Sequence, residues 1–338
     1  MSRAQPSKRL EFARRVLAAK GFVIETAAGQ RQAKAHLLAE LARVLKEIDA
    51  NARIIEQARR APVPGAEFAE RSRLYRARGL SSDTSLLPDY AVEQALNAMR
   101  AKGAIDGRIR RVAIIGPGLD FTDKQEGYDF YPPQTLQPFA IVDSLLRLGL
   151  SDAKDLQVTT LDLSPRINAH VAGLRAKSLR GEPYVVQLPL DSGERWSADF
   201  LRYWTSFGDQ IGTPARPAAV PPNTGDLKLR AVSVRPDVGA TVTPAEVNIV
   251  LQRLDLSADE KFDLIVGTNV FVYYDDFQKA LAIVNIEKML RPGGVLLSNN
   301  ALVELPSSQV HWIGDTTVAY SDRKDNGDTI VWYQASKN

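Results

Sequence analysis

The sequence predicts an α/β fold: a doubly wound, mostly parallel sheet closing in an antiparallel C-terminal hairpin, behind a helical N-terminal domain. Three observations predict it. From Arg111 onward, short apolar runs alternate with helix-length segments, the rhythm of βαβ units. The first run, Val112-Ala113-Ile114-Ile115, breaks directly into Gly116-Pro117-Gly118, as a buried parallel strand does on meeting a glycine turn. The last two runs, 316–320 and 329–334, flank the turn-prone Asp325-Asn326-Gly327-Asp328.

At 338 residues the chain suits two domains, read as 1–103 (helical; a lid, substrate or oligomer contacts) and 104–338, the latter with an insertion at about 181–245. It has no cysteine, which excludes disulfides, thiolate metal sites and a thiol nucleophile. No metal site is expected. No signal peptide and no apolar stretch near the roughly 20 residues of a membrane span are apparent, so a cytoplasmic protein is expected. The net charge of +3 conceals a basic stretch 1–111 and an acidic remainder. Aromatics hardly interleave with the arginines, so this is expected to be an Arg- and Ala-rich helical surface facing the acidic remainder, with nucleic acid an unlikely partner.

In order, residues 8–20 and 31–60 read as helices, the second with a stripe of Leu37, Leu41, Val44, Ile48 and Ile55. Segments 71–78 and 90–102 are further helical candidates. After the strand at 112–115 and the loop 120–133 comes a helix at 134–148. A strand at 157–161 ends in Asp162, and a helix follows at 165–179. The insertion holds a strand pair, 184–188 and 227–234, and an aromatic helix, 196–207, whose Trp196, Tyr203, Trp204 and Phe207 are expected to form a small core of their own. The rhythm resumes at 247–254, then a strand at 262–266, a helix at 276–290 and a strand at 295–299.

Gly116 and Gly118 sit where this fold needs backbone to approach a ligand, although Phe121 occupies a glycine position of the nicotinamide fingerprint. A carboxylate closes the next strand (Asp162), and another, Asp255, is read as closing the third. Phe262-Asp263-Leu264-Ile265-Val266-Gly267-Thr268-Asn269 and Leu290-Arg291-Pro292-Gly293-Gly294 follow. Taken in order, these segments resemble the motifs of class I S-adenosylmethionine-dependent methyltransferases over about two-thirds of the chain. The stretch from Asn269 to Tyr274 locally resembles the chemotaxis-receptor (protein-glutamate) methyltransferases.

The resemblance implies S-adenosyl-L-methionine as cofactor. It would place Gly116 and Gly118 under the methionine moiety, and Asp162, with Leu163 beside it, on the ribose. Asp255 and Leu256 would meet the adenine, and Gly267, Thr268 and Asn269 the sulfonium floor. Two positions depart from the family: Ile114, where an acidic residue is usual, and Asp120, where a third glycine is usual. Asp120 is read as able to contact the cofactor's amino group instead. Tyr273 and Tyr274 are the candidate catalytic bases, with Asp275 and His311 also near by position. Tyr128, Phe130 and Tyr131 are candidate substrate or lid residues. A small-molecule acceptor is expected, and a homo-oligomer is compatible. An aminopropyltransferase-like enzyme and a non-catalytic binding protein of the same fold stay open as alternatives.

Overall fold

The computed structural model describes residues 17, 22–60, 86–105, 107–120, 131–191, 193–219, 227–323 and 326–337. The chain divides into two compact units at Leu80/Ser81. In the first, helix α1 (Ala27–Arg60) begins where Thr26 Oγ1 accepts from Gly29 N at 3.0 Å. The segments expected at 8–20 (residue 17 apart) and 71–78, and the stripe side chains of Leu37, Leu41, Val44, Ile48 and Ile55, lie outside the described set.

The second unit opens with α2 (Leu86–Ala101), placed by the sequence ahead of a boundary at 103 but here part of the sheet domain. There follow β1 (Arg111–Ile115), α3 (Gln137–Arg147), β2 (Gln157–Asp162), α4 (Pro165–Leu179), β3 (Tyr184–Asp191), α5 (Ala198–Ser206), β4 (Gly212–Ala215), β5 (Leu227–Val234), α6 (Pro236–Gly239) and β6 (Val242–Glu246). The chain continues with β7 (Phe262–Gly267), a 3₁₀ turn (Phe271–Tyr273), α7 (Asp276–Met289), β8 (Leu290–Ser298), β9 (Val310–Ala319) and β10 (Gly327–Ala335).

The main sheet has seven strands in the order β6-β2-β1-β7-β8-β10-β9. β6, β2, β1, β7 and β8 are parallel, and β10 runs antiparallel to both β8 and β9, forming the expected terminal hairpin. From β1 the chain steps to β2 and then β6, while from β7 it steps the other way to β8. Right-handed crossovers therefore put α3 and α4 on one face and α7 on the other, the doubly wound arrangement. Central strands are apolar on both sides because both faces are covered: on one, Val112, Ile114, Leu264 and Val266 join the cluster of Leu96, Met99, Phe139 and Leu145 from α2 and α3, and on the other Ala113, Ile115 and Ile265 are buried.

Three expectations shift. The strand read at 247–254 lies earlier, at Val242–Glu246. Residues 247–252 form a turn because the Asn248 side chain takes the N–H groups of Val250 and Leu251, while Asn285 Nδ2 holds the Ile249 and Val250 carbonyls. The insertion accordingly ends before Val242; its strands make a separate antiparallel sheet, β3-β5-β4. Its aromatic residues pack on one another, Tyr203 on Phe207 at 6.1 Å, but also join the main core: Phe200 and Tyr203 pack on Tyr90 of α2 at 5.5 and 5.4 Å, and Phe200 on Tyr320 at 6.3 Å. Among the described residues no helix is long and apolar enough to cross a membrane, and no His, Asp or Glu cluster could hold a metal ion.

Candidate functional site

Strand order reverses between β1 and β7, and in open α/β sheets the crevice at that point, outside the carboxyl ends of the strands, is where ligands bind. Five predicted positions, Gly116, Gly118, Asp162, Thr268 and Asn269, lie at these strand ends. Gly116 and Gly118, both at φ +65°, turn the chain off β1 in the left-handed conformation that glycine takes without strain. A Cβ on Gly116 would stand 2.8 Å from Val270 Cγ2, so the turn is closed to side chains on that side as well. Asp162 ends β2, buried, its Oδ1 accepting from Ser164 N at 2.7 Å. One oxygen thus shapes the turn into α4, whose N-cap Ser164 supplies no side-chain cap of its own. Leu163 beside it is exposed.

At the end of β7, Thr268 is buried and Asn269 holds φ +57°. Asn269 N donates to Asn299 Oδ1 at 2.8 Å, and Asn299 Nδ2 returns a bond to Asn269 Oδ1 at 2.6 Å. This reciprocal pair straps the ends of β7 and β8. Tyr273 and Tyr274 follow, half-buried, at and just after the 3₁₀ turn. Asp275 is committed elsewhere: it forms a capping box with Gln278 that starts α7.

Asp255 does not take its expected place at a strand end, and His311 lies at the far ends of the strands. Asp255 is exposed in the loop beyond β6 and does not close the third strand; Glu246 does, in register with Asp162. His311 shares a row of the sheet with Gln334, Val295, Leu264 and Val112, at the starts of β1 and β7, the opposite edge from the glycine turn.

The loop after the glycine turn has a closed neck. Asp120 N donates to the Gln134 carbonyl at 2.6 Å. Gln134 Nε2 donates to the Gln187 carbonyl at 2.7 Å, and Gln187 N returns to Gln134 Oε1 at 2.6 Å. Thr135 N donates to the Tyr184 hydroxyl, which also lies 2.9 Å from His170 Nε2. Strand β3 of the insertion is thereby tied to the loop. Of the lid candidates, Tyr131 is buried; Tyr128 and Phe130 lie outside the described residues.

The residues that sequence reasoning missed come from α2 and α3. Gln137 Nε2, in the first turn of α3, donates to Thr268 Oγ1 at 2.7 Å. Close by, Asp89 of α2 is buried, and burial, then the Asp120 charge, pushes its carboxyl well above the usual range. The amide of Gln137 opposes that shift. Ile114, in the same buried cluster as α2, is fully enclosed.

No sequence-family model matches the chain, and no curated protein does. Solved structures do. N-methyltransferase NodS from Bradyrhizobium japonicum is 14% identical, with 72% of this chain and 96% of that chain covered at a TM-score of 0.35. A TehB-like S-adenosylmethionine-dependent methyltransferase from Corynebacterium glutamicum is 12% identical, covering 82% and 100% at 0.34. Magnesium protoporphyrin IX methyltransferase from Synechocystis, with S-adenosylmethionine bound, is 10% identical, covering 73% and 79% at 0.34. At such scores these likenesses carry no functional weight; strand order and crevice geometry do.

Proposed function

We propose that the chain is an S-adenosylmethionine-dependent methyltransferase acting on a small molecule. The observation that carries this is the meeting of a left-handed glycine turn and a strand-terminal carboxylate, Asp162, at the switch point of the sheet. The residues present fit the cofactor: Gly116 and Gly118 leave backbone bare for its methionine moiety, and Asp162 stands where ribose hydroxyls would donate. For the adenine, Glu246 at the end of β6 replaces Asp255 as the candidate carboxylate, with Leu256 half-buried nearby in sequence.

When bound, the cofactor supplies a methyl on a sulfonium. The chain's task is to hold an acceptor in line with it, which needs alignment more than a strong catalytic group. Thr268, fixed by Gln137, and Asn269, fixed by Asn299, give the end of β7 a rigid floor. Tyr273 and Tyr274, just past that floor, are the candidates for drawing a proton from an acceptor hydroxyl or amine.

One observation favours a second reading, aminopropyl transfer: the acidic pair Asp89 and Asp120 could face a polyamine. Against it, Thr268-Asn269 stands where paired acids would be expected at the fourth parallel strand. Calorimetric titration with S-adenosylmethionine, S-adenosylhomocysteine and the decarboxylated cofactor, repeated on Asp162→Ala, decides. Micromolar binding of the first two, weakened at least a hundredfold by the substitution, is expected. Heat with the decarboxylated compound alone would move the assignment to aminopropyl transfer, and none from folded protein would leave a binding protein of this fold.

A further inference from the structure

Helix α2 carries two buried carboxylates one turn apart, and only one of them is served. Glu93 accepts from Ser144 Oγ at 2.8 Å and lies 3.5 Å from Arg147 Nε. Asp89, 1% exposed, accepts no hydrogen bond at either oxygen. Among the described residues no Lys or Arg acts on it. The Asp120 carboxylate repels it, and the Gln137 amide, whose Nε2 bonds Thr268 Oγ1, offsets only part of the cost of its ionisation. Gln137 Oε1 and Thr135 Oγ1 are likewise buried without partners.

Buried polar atoms are almost always paired, so a group of unpaired ones beside a ligand crevice points to what is missing. Here Asp89 and Gln137 Oε1 lack donors, and the Asp120 carboxylate acts on Asp89 as well. A carboxylate or phosphate would be repelled. A hydroxyl or water would bring donors but no charge. An ammonium brings three donors and a positive charge to two carboxylates.

We propose that Asp89, with Asp120 and Gln137, seats an ammonium group of the ligand bound in this crevice. Two sources share that chemistry: the α-ammonium of the cofactor and a primary or secondary amine acceptor. Only this choice of sources rests on the methyl-transfer reading. Burial and Asp120 together disfavour the ionised form of Asp89, and a cation beside it would oppose both.

The test is calorimetric titration of the full chain and of Asp89→Asn with S-adenosylhomocysteine, which keeps the α-ammonium and lacks the sulfonium. The saturated proteins are then titrated with ethylammonium, phenethylammonium and putrescine chlorides. A tenfold or greater loss of S-adenosylhomocysteine affinity in the variant puts the cofactor's ammonium on Asp89. Unchanged cofactor affinity with loss of the amine heats puts the acceptor there. Both affinities retained in the variant overturns the proposal, as does a wild-type protein that takes no amine while its S-adenosylhomocysteine affinity is indifferent to the substitution. Amine binding lost in the variant, with no S-adenosylhomocysteine binding to either protein, sinks methyl transfer and leaves the ammonium seat standing; no binding of either kind sinks both. Melting curves guard the result: the Asn variant should melt no lower than wild type without ligand. A melting point many degrees lower makes Asp89 structural, and Asp120→Asn, carried through the same titrations, then has to show the losses or the seat is disproved.

Discussion

The two edges of the main sheet are built from similar residues and finished differently. At the edge where β1 and β7 begin, Asp263 accepts from Arg110 N at 2.7 Å and Arg111 N at 2.8 Å and also pairs with the Arg291 guanidinium. Gln334 Nε2 ties the Ala104 and Gly293 carbonyls there at 3.0 and 3.1 Å. At the edge where these strands end, Asp89 is left without partners, and Gly116, Gly118 and Asn269 all hold positive φ. One carboxylate locks strands together; the other stands buried and unsatisfied. Local rules are kept at the first of these ends and broken at the second.

The contrast can be broken most forcefully at the locked edge. Asp263→Ala removes an acceptor from two backbone N–H groups and a partner from Arg291, and should cost about 3 kcal/mol in urea unfolding. Cofactor affinity of the remaining folded protein, measured well below its midpoint, should stay within twofold. A stability loss under about 1 kcal/mol would mean that this clamp does little.

Gly116→Ala tests the open edge. Placing a side chain at φ +65° costs roughly 1–2 kcal/mol, and the new Cβ crowds Val270. Here the expected order is reversed: stability falls modestly while S-adenosylmethionine affinity drops at least tenfold. Equal losses at both edges would erase the distinction.

The smallest effect is a pH dependence. The Asp89 carboxyl is raised in the folded protein above its unfolded value of about 4, so the folded state binds that proton more tightly. Its contribution is therefore fully present below about pH 4 and is lost as pH rises through the folded value. Asp120 faces it, and the nearby hydroxyls of Tyr203 and Tyr320 carry no charge in this range. Asp89→Asn should match wild type near pH 4 in denaturant titrations and exceed it as pH rises, the difference levelling off above the folded value. Comparing variant with wild type cancels Glu93, Asp143 and Asp328, whose carboxyls are raised as well. A constant difference across the range would mean that Asp89 does not titrate as described.

Much of the frame was legible because its signals are local. The apolar run into Gly116-Pro117-Gly118, the helix starting at Pro165 and the terminal hairpin each need only neighbours in sequence. The third parallel strand was misplaced because residues 247–254 are as apolar as a strand, and only the Asn248 and Asn285 side chains turn them aside. Asp255 went with that strand, and Glu246 was passed over behind Pro244. Asp89 was hidden for a different reason. An acid in the first turn of a helix is an ordinary helix feature, and what makes this one unusual, Asp120 and Gln137, lies far along the chain.

The Asn269–Asn299 strap carries a consequence for how this sequence can drift. Position 269 needs a residue at ease with φ +57°, which restricts it to Asn, Asp or Gly, and its side-chain oxygen is also claimed by Asn299. Asp at 269 would still accept that bond. Gly would keep the backbone and leave the Asn299 amide only its longer bond to Asp328 Oδ2 at 3.4 Å, and a β-branched or bulky residue would be strained at this φ. Among related sequences the two positions should therefore covary, one rarely changing without the other, so that an alignment could find this pair with no structure in hand.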